Sequence, residues 1–171
     1  MVAPAEHGGR DERDWKEVEW AGTVRFRVPM DWTVSSEDRE GIEVVAFHPA
    51  DADGGGALRV LVDERTPRPG EPAQAVLHEM AMRFVRPDDA RVSDRSVEDR
   101  ADGVRLAQAA MLTEEDGRTE SHYLWLLGHV REGRVRVAMF SYTLPTLFDG
   151  QEPHVSTLAG LDAAIRAAEF L

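Results

Sequence analysis

The sequence predicts an α+β domain: a mostly antiparallel sheet of six to seven strands packed with two main helices. Three observations predict it. Apolar and polar residues alternate with period two in short segments bounded by turn residues. Two segments carry the 3.6-residue period of an amphipathic helix instead. The order is strands, helix, strands, helix, which is not a βαβ series.

Residues 1–15 are small and charged, with Gly8-Gly9 among them, and are expected to form a tail. Residues 16–171 are expected to form one domain, the size a single core supports. Trp15 and Trp20 flank the junction and are read as pinning the first strand. Thr23 to Val28 alternates, with Val24, Phe26 and Val28 on one side, and Pro29 ends it. Trp32 to Val34 resumes an extended path, with Trp32 at a core edge. Ile42 to His48 is β-branched and aromatic, and Ala57 to Asp63 is its partner. The connection from Pro49 to Gly56 ends in three glycines and suits a loose hairpin tip.

Pro72 opens a helix whose face is Ala73, Val76, Leu77, Met80 and Phe84, and Pro87 stops it. A weak strand follows from Val92 to Glu98. Gly103 to Thr113 is stronger, with Val104, Leu106, Ala110 and Leu112 inward. Glu115-Asp116-Gly117 and Glu132-Gly133 are hairpin signals. They separate Arg118 to Val130 from its neighbours, the second of which is Arg134 to Leu144. Strands joined by turns this short are antiparallel. A second helix runs from Pro153 to Glu169, with Val155, Leu158, Leu161, Ile165 and Ala168 inward. Gly160 marks close packing of that helix.

Composition narrows the function classes. The formal charge is −12, from 32 acidic and 20 basic residues. Such a surface repels phosphate backbones and anionic headgroups, so nucleic acid is not an expected partner. Lys16 is the single lysine, a bias toward arginine that carries little function. There is no cysteine, which removes disulfides, thiolate metal sites and cysteine nucleophiles. No apolar run reaches the roughly 20 residues of a membrane span. The first residues contain no apolar signal region, so a cytoplasmic location is expected.

Catalytic and metal motifs fail on spacing. His78-Glu79 starts like a zinc-protease helix, but the second ligand position is Met82. Asp51-Ala52-Asp53 starts like a calcium loop, but its fifth and twelfth positions are Gly55 and Val62. His48, His122 and His129 lie on different strands and are read as strand-edge residues. The acidic runs Glu114-Glu115-Asp116 and Asp88-Asp89 sit in exposed turns and are read as solvated surface. No catalytic residue, metal or cofactor is expected.

The element order resembles the PsbP-like fold. That fold is shared by the photosystem oxygen-evolving subunit, a Ran-binding release factor, the DcrB lipoproteins and adaptor chaperones of type VI secretion. The residues that carry the resemblance are Phe26-Arg27-Val28-Pro29-Met30-Asp31-Trp32, the helix from Pro72 to Phe84, and the hairpin from His122-Tyr123-Leu124-Trp125 to Met139-Phe140-Ser141-Tyr142. The resemblance implies a binding or assembly protein with no shared catalytic residues.

The last two strands carry large residues on both faces. Either both faces are buried, one under each helix, or one stays open as a platform. The open reading assigns Trp125, Arg134, Arg136, Phe140 and Tyr142 to a protein partner, since aromatic residues and arginines together are enriched at interfaces. The expected function is thus a non-enzymatic adaptor or chaperone, for example for a secreted effector, with a homodimer left open. The alternative is a small-ligand-binding or toxin-neutralising protein of the same fold. A sheet covered on both faces counts against the adaptor, and a closed pocket or a cluster of acidic side chains on one face marks the alternative.

Overall fold

A pleated strand sends successive side chains to opposite sides, so a strand that is apolar at every position needs cover on both. Trp125-Leu126-Leu127 in the middle of the longest strand is such a run. The computed structural model, which describes residues 14–50 and 56–171, builds two layers around it. The first strands are β1 (Trp15–Trp20), β2 (Val24–Pro29), β3 (Thr33–Arg39), β4 (Ile42–His48) and β5 (Ala57–Arg65). Helix α1 (Ala73–Arg83) follows. Then come β6 (Val92–Asp99), β7 (Arg105–Glu115), β8 (Arg118–Arg131) and β9 (Arg134–Pro145). A 3₁₀ turn (Thr146–Phe148), helix α2 (His154–Arg166) and the short β10 (Glu169–Phe170) complete the chain.

Seven strands form one sheet in the order β3-β4-β5-β9-β8-β7-β6, with every neighbouring pair antiparallel. A second sheet, β1-β2-β10, is separate from it. The architecture is therefore α+β and dominated by sheet. Four hairpins turn through residue pairs with positive φ: Ala21-Gly22 in the small sheet, and Glu40-Gly41, Asp116-Gly117 and Glu132-Gly133 in the large one. Such a pair twists with the strands, and glycine takes it without strain.

Each face of the large sheet has its own cover. On one side, Leu77 and Ala81 of α1 pack on Ala107, Leu126, Val135 and Val137. Gly128 permits this approach, because a Cβ there would lie 2.1 Å from Leu77 Cδ1. On the other side, α2 and the small sheet close over Leu106, Trp125, Leu127, Phe140 and Tyr142. Phe26 of β2 meets Phe140 edge-on at 5.2 Å and Phe47 at 5.7 Å. Trp32 stacks on Tyr142 at 6.3 Å.

Several elements differ from expectation. β1 is a strand, although Glu17 and Glu19 make its pattern polar; it pairs along its length with β2. The extended path after Trp32 becomes β3, an edge strand whose residues are mostly exposed. Helix α2 stops at Arg166 rather than near Glu169. Glu169 and Phe170 instead pair with Arg25 and Val24 of β2. Pro72 is the N-cap of α1, not its first residue. Leu112 is 45% exposed rather than inward, and Val155 is 42% exposed. Gly160 lines a groove that α2 forms with β1 and β2. The expected tail through residue 13 and the hairpin tip at residues 51–55 lie outside the described residues.

Two arginines at β6 finish the helices. Arg95 donates to the carbonyls of Ala81, Met82, Phe84 and Val85 at the end of α1. Arg100, just past β6, donates to the carbonyls of Arg166 and Ala168 at the end of α2. The last carbonyls of a helix have no partners within it, and a cation also suits the negative end of its dipole.

Two stability experiments follow from these contacts. Gly128→Ala forces Leu77 off its seat and costs about 1–3 kcal/mol, more than the 0.4–1 kcal/mol that removing a glycine can return. Combined with Leu77→Ala, the loss in urea unfolding is smaller than the sum of the two single losses by at least about 0.5 kcal/mol. Arg95→Met, which keeps the stem and removes the donors, costs about 1.5–3 kcal/mol in the same measurement.

Candidate functional site

The residues expected on an open platform do lie on one face, in the sorting the alternation gave. The register pairs Trp125 with Phe140, Tyr123 with Tyr142, and His129 with Arg136. That face is covered, however. Trp125 is 0% exposed, and Phe140 and Tyr142 are each 1% exposed. They are core residues beneath α2 and the small sheet, so this face does not stand open as a platform. Tyr142 is packed so closely that a Cβ on Gly56 would lie 2.4 Å from its ring.

The two arginines of that set sit at the far end of the face. Arg134 donates to Glu64 at 2.7 Å, and Arg136 donates to Glu64 at 2.8 Å. These two guanidinium groups, Arg136 first, hold the Glu64 carboxyl below its ordinary value. Arg136 also donates to the Leu171 carbonyl at 2.9 Å, joined there by Arg131 at 3.0 Å. Both predicted arginines are thus occupied in holding neighbouring parts of the chain.

The histidines do not converge. His122 bridges Thr113 and Thr143 across three strands at 2.7 and 3.0 Å, and burial lowers its pKa. His48 meets Ser35 at 3.2 Å on the same face. His129 is on the opposite face, stacked against Phe170. His78 meets Arg105 at 2.7 Å. Among the described residues, no group of three or more histidine or carboxylate side chains could hold a metal ion.

A candidate site lies where α2 bridges the sheet without filling the space beneath it. A cleft of about 440 Å³ opens between the first half of α2 and strands β6–β8. Ala110, Tyr123, Trp125 and Leu144 form its floor, with Val155 and Leu158 of α2 opposite. Ala110 is the small residue that leaves the room. Asp94, Asp149 and Asp162 also line the cleft, together with His154 and Gln108.

Two of those aspartates tie the roof to the floor. Asp162 accepts Trp125 Nε1–H at 2.9 Å and Gln108 at 3.3 Å, and it pairs with Arg166 at 3.0 Å. A buried indole N–H needs an acceptor, and this one comes from the helix above. Asp149 accepts the Tyr123 hydroxyl at 2.5 Å and the Ser121 hydroxyl at 2.7 Å. Burial, first, and then the hydrogen bond to Asp149 push the Tyr123 phenol above its ordinary value, so it stays protonated. His154 packs against Phe148 at 4.9 Å.

The cleft holds aspartates that the sequence reading did not single out. One signal was available: Asp162 interrupts the inward stripe of α2 between Leu158 and Ile165, where a carboxylate needs a buried donor. Asp94 and Asp149 carry no such signal.

No family model and no curated protein matches the chain. Solved structures do share its fold. A protein of Bacteroides thetaiotaomicron superposes with a TM-score of 0.56 at 19% identity, covering 91% of this chain and 48% of that one. This chain therefore spans about half the length of that protein. LpqN, involved in cell envelope biogenesis of Mycobacterium tuberculosis, superposes with a TM-score of 0.57 at 14% identity, covering 94% of this chain and 92% of LpqN. At these identities the likeness is one of fold alone.

The phenol gives a direct readout of the cleft. A group whose folded pKa is raised stabilises the fold below its unfolded value and loses that contribution as pH climbs above it. Stability therefore falls from near pH 10.0, the ordinary phenol value, upward. Asp149→Asn removes the negative acceptor and brings the Tyr123 ionisation down toward that value, read as tyrosinate absorbance in an alkaline titration.

Proposed function

We propose that this chain is a non-enzymatic binding protein of the PsbP-like fold its element order resembles. Its cleft between α2 and strands β6–β8 takes a small, largely apolar ligand. The observation that carries this reading is the cleft itself: about 440 Å³ with an apolar floor, within the range of small-ligand sites. The central strands are covered on both faces, by α1 on one and by α2 with the small sheet on the other. The adaptor reading placed its partner on a face that α2 and the small sheet occupy, so it loses its surface.

The side chains around the cleft support binding rather than catalysis. Ser121 is the hydroxyl held by a carboxylate there, but it is 2% exposed and already donates to Asp149. A nucleophile must reach its substrate, and this one is buried. Trp125, Gln108 and Asp162 satisfy one another and fix the walls.

Burying five or six methylenes at about 0.8 kcal/mol each gives roughly 4–5 kcal/mol, a Kd on the order of 0.1–1 mM for a plain aliphatic probe. Isothermal titration with octanol is expected to show saturable binding of one molecule in that range. Ala110→Phe fills the cleft from the floor and abolishes it, with the circular dichroism spectrum unchanged. Equal octanol binding by the wild type and the filled variant overturns the assignment of the site.

A further inference from the structure

We infer that the ligand of this cleft is a cation: an apolar body carrying an ammonium or similar head, bound with the head toward Asp94 and Asp149. The inference rests on the binding reading above and adds the charge of the ligand to it.

The cleft has three carboxylates on its walls and neither lysine nor arginine. Three other grooves carry arginine; the one at the β7–β8 turn sets Arg118 among Glu115, Asp116 and Glu120. The groove beside Trp15 sets Arg25 and Arg27 against Glu17 and Glu169. The one at Leu171 sets Arg131, Arg134 and Arg136 against Glu64 and Glu132. Only one of the three cleft carboxylates is neutralised within the protein, Asp162 by Arg166. Asp149 has two hydrogen-bond donors, but both are neutral hydroxyls, so its charge is uncompensated. Asp94 on β6 is exposed and takes part in none of the ion pairs of the described residues. Two negative charges therefore face the space.

One feature opposes them. The amino end of α2 reaches the cleft at His154 and Val155. A helix amino terminus is worth about half a positive charge. It is also partly answered here, because Glu152 accepts from Ser156 in the first turn. Half a charge does not cancel two. An anionic head would meet two like charges, and a neutral head would leave them without a partner, while an ammonium head pairs with both.

The test compares three probes with one tail: octylammonium, octanol and octanoate, each titrated calorimetrically into the full chain at neutral pH and low salt. Octylammonium is expected to bind about five- to tenfold more tightly than octanol, with octanoate weakest, the scale that half-exposed ion pairs give. Asp94→Asn, an exposed position outside the core, reduces the preference for octylammonium over octanol by several-fold. Raising the salt to about 0.5 M narrows the gap in the same direction. If octanol and octylammonium bind equally and Ala110→Phe blocks both, the cleft is a ligand site and the charge inference is wrong. If the preference for octylammonium survives Asp94→Asn and high salt, the inference is likewise wrong. If none of the probes binds, or Ala110→Phe does not block them, the binding reading falls and takes this inference with it.

Discussion

The structure depends on one constraint: the pleat of strands β7, β8 and β9, whose side chains must be covered on both sides at once. Trp125 pairs across with Phe140, and the next position pairs Leu126 with Met139 on the reverse side. A slip of one residue would move each aromatic under α1 and each aliphatic under α2. The covers could not accept that exchange. Leu77 of α1 seats over Gly128, a position with no side chain, while Phe26 and Trp32 meet aromatic rings on the other side. The register and the two covers thus select each other. Burial of Trp125, Phe140 and Tyr142 is a consequence, and so is the absence of an aromatic platform.

Strand β6 then sets how the covers are held. It is an edge strand, exposed and charged, of the sort that does not invite pairing with another chain. Its arginines work inward. Arg95 closes the end of α1 on one face, and Arg100 closes the end of α2 on the other. Asp102 holds Arg100 in place, and that guanidinium in turn draws the Asp102 carboxyl down to about 2. The edge that carries little apolar surface therefore anchors both helices through their carbonyls. Those ties fix α2 from its carboxyl end, which leaves its amino-terminal half to span the sheet as a bridge.

The sequence made most of this legible, for physical reasons that also explain what it hid. Alternation over Val24, Phe26 and Val28 gave a buried face, and all three are at most 2% exposed. The Asp116-Gly117 and Glu132-Gly133 pairs gave the hairpins of β7, β8 and β9, because few residues other than glycine accept their φ. The small sheet was hidden. Glu17 and Glu19 break the apolar pattern of β1, and β10 is two residues long, too short for any periodicity. Missing that sheet is what made the Trp125 face look open. Pattern sorts side chains to a face, but it does not say whether anything lies on that face. The cleft was hidden for the same reason. Its lining comes from β6, β7, β8, β9 and α2, which only the fold brings together.

The aspartates of the cleft serve structure and field together, and this explains why the space stays open. Asp162 fastens the carboxyl-terminal half of α2 to Trp125 and Gln108, while Asp149 fastens the chain just before α2 to Ser121 and Tyr123. Between those two ties the helix presents Leu158 and Val155 over Ala110, and a collapse there would have to stretch one carboxylate off its donors. Each such hydrogen bond to a charged group is worth about 1.5–3 kcal/mol. The apolar area gained by closing around an alanine is small: at about 25 cal/mol per Å², some 40 Å² returns only about 1 kcal/mol. The ties therefore outweigh the drive to collapse. Of the two, Asp162 spends its charge on Arg166, and Asp149 retains its own. The same geometry that props the roof thus leaves a negative wall, so the openness of the cleft and the cation preference we infer for it have a common origin in where α2 is fastened.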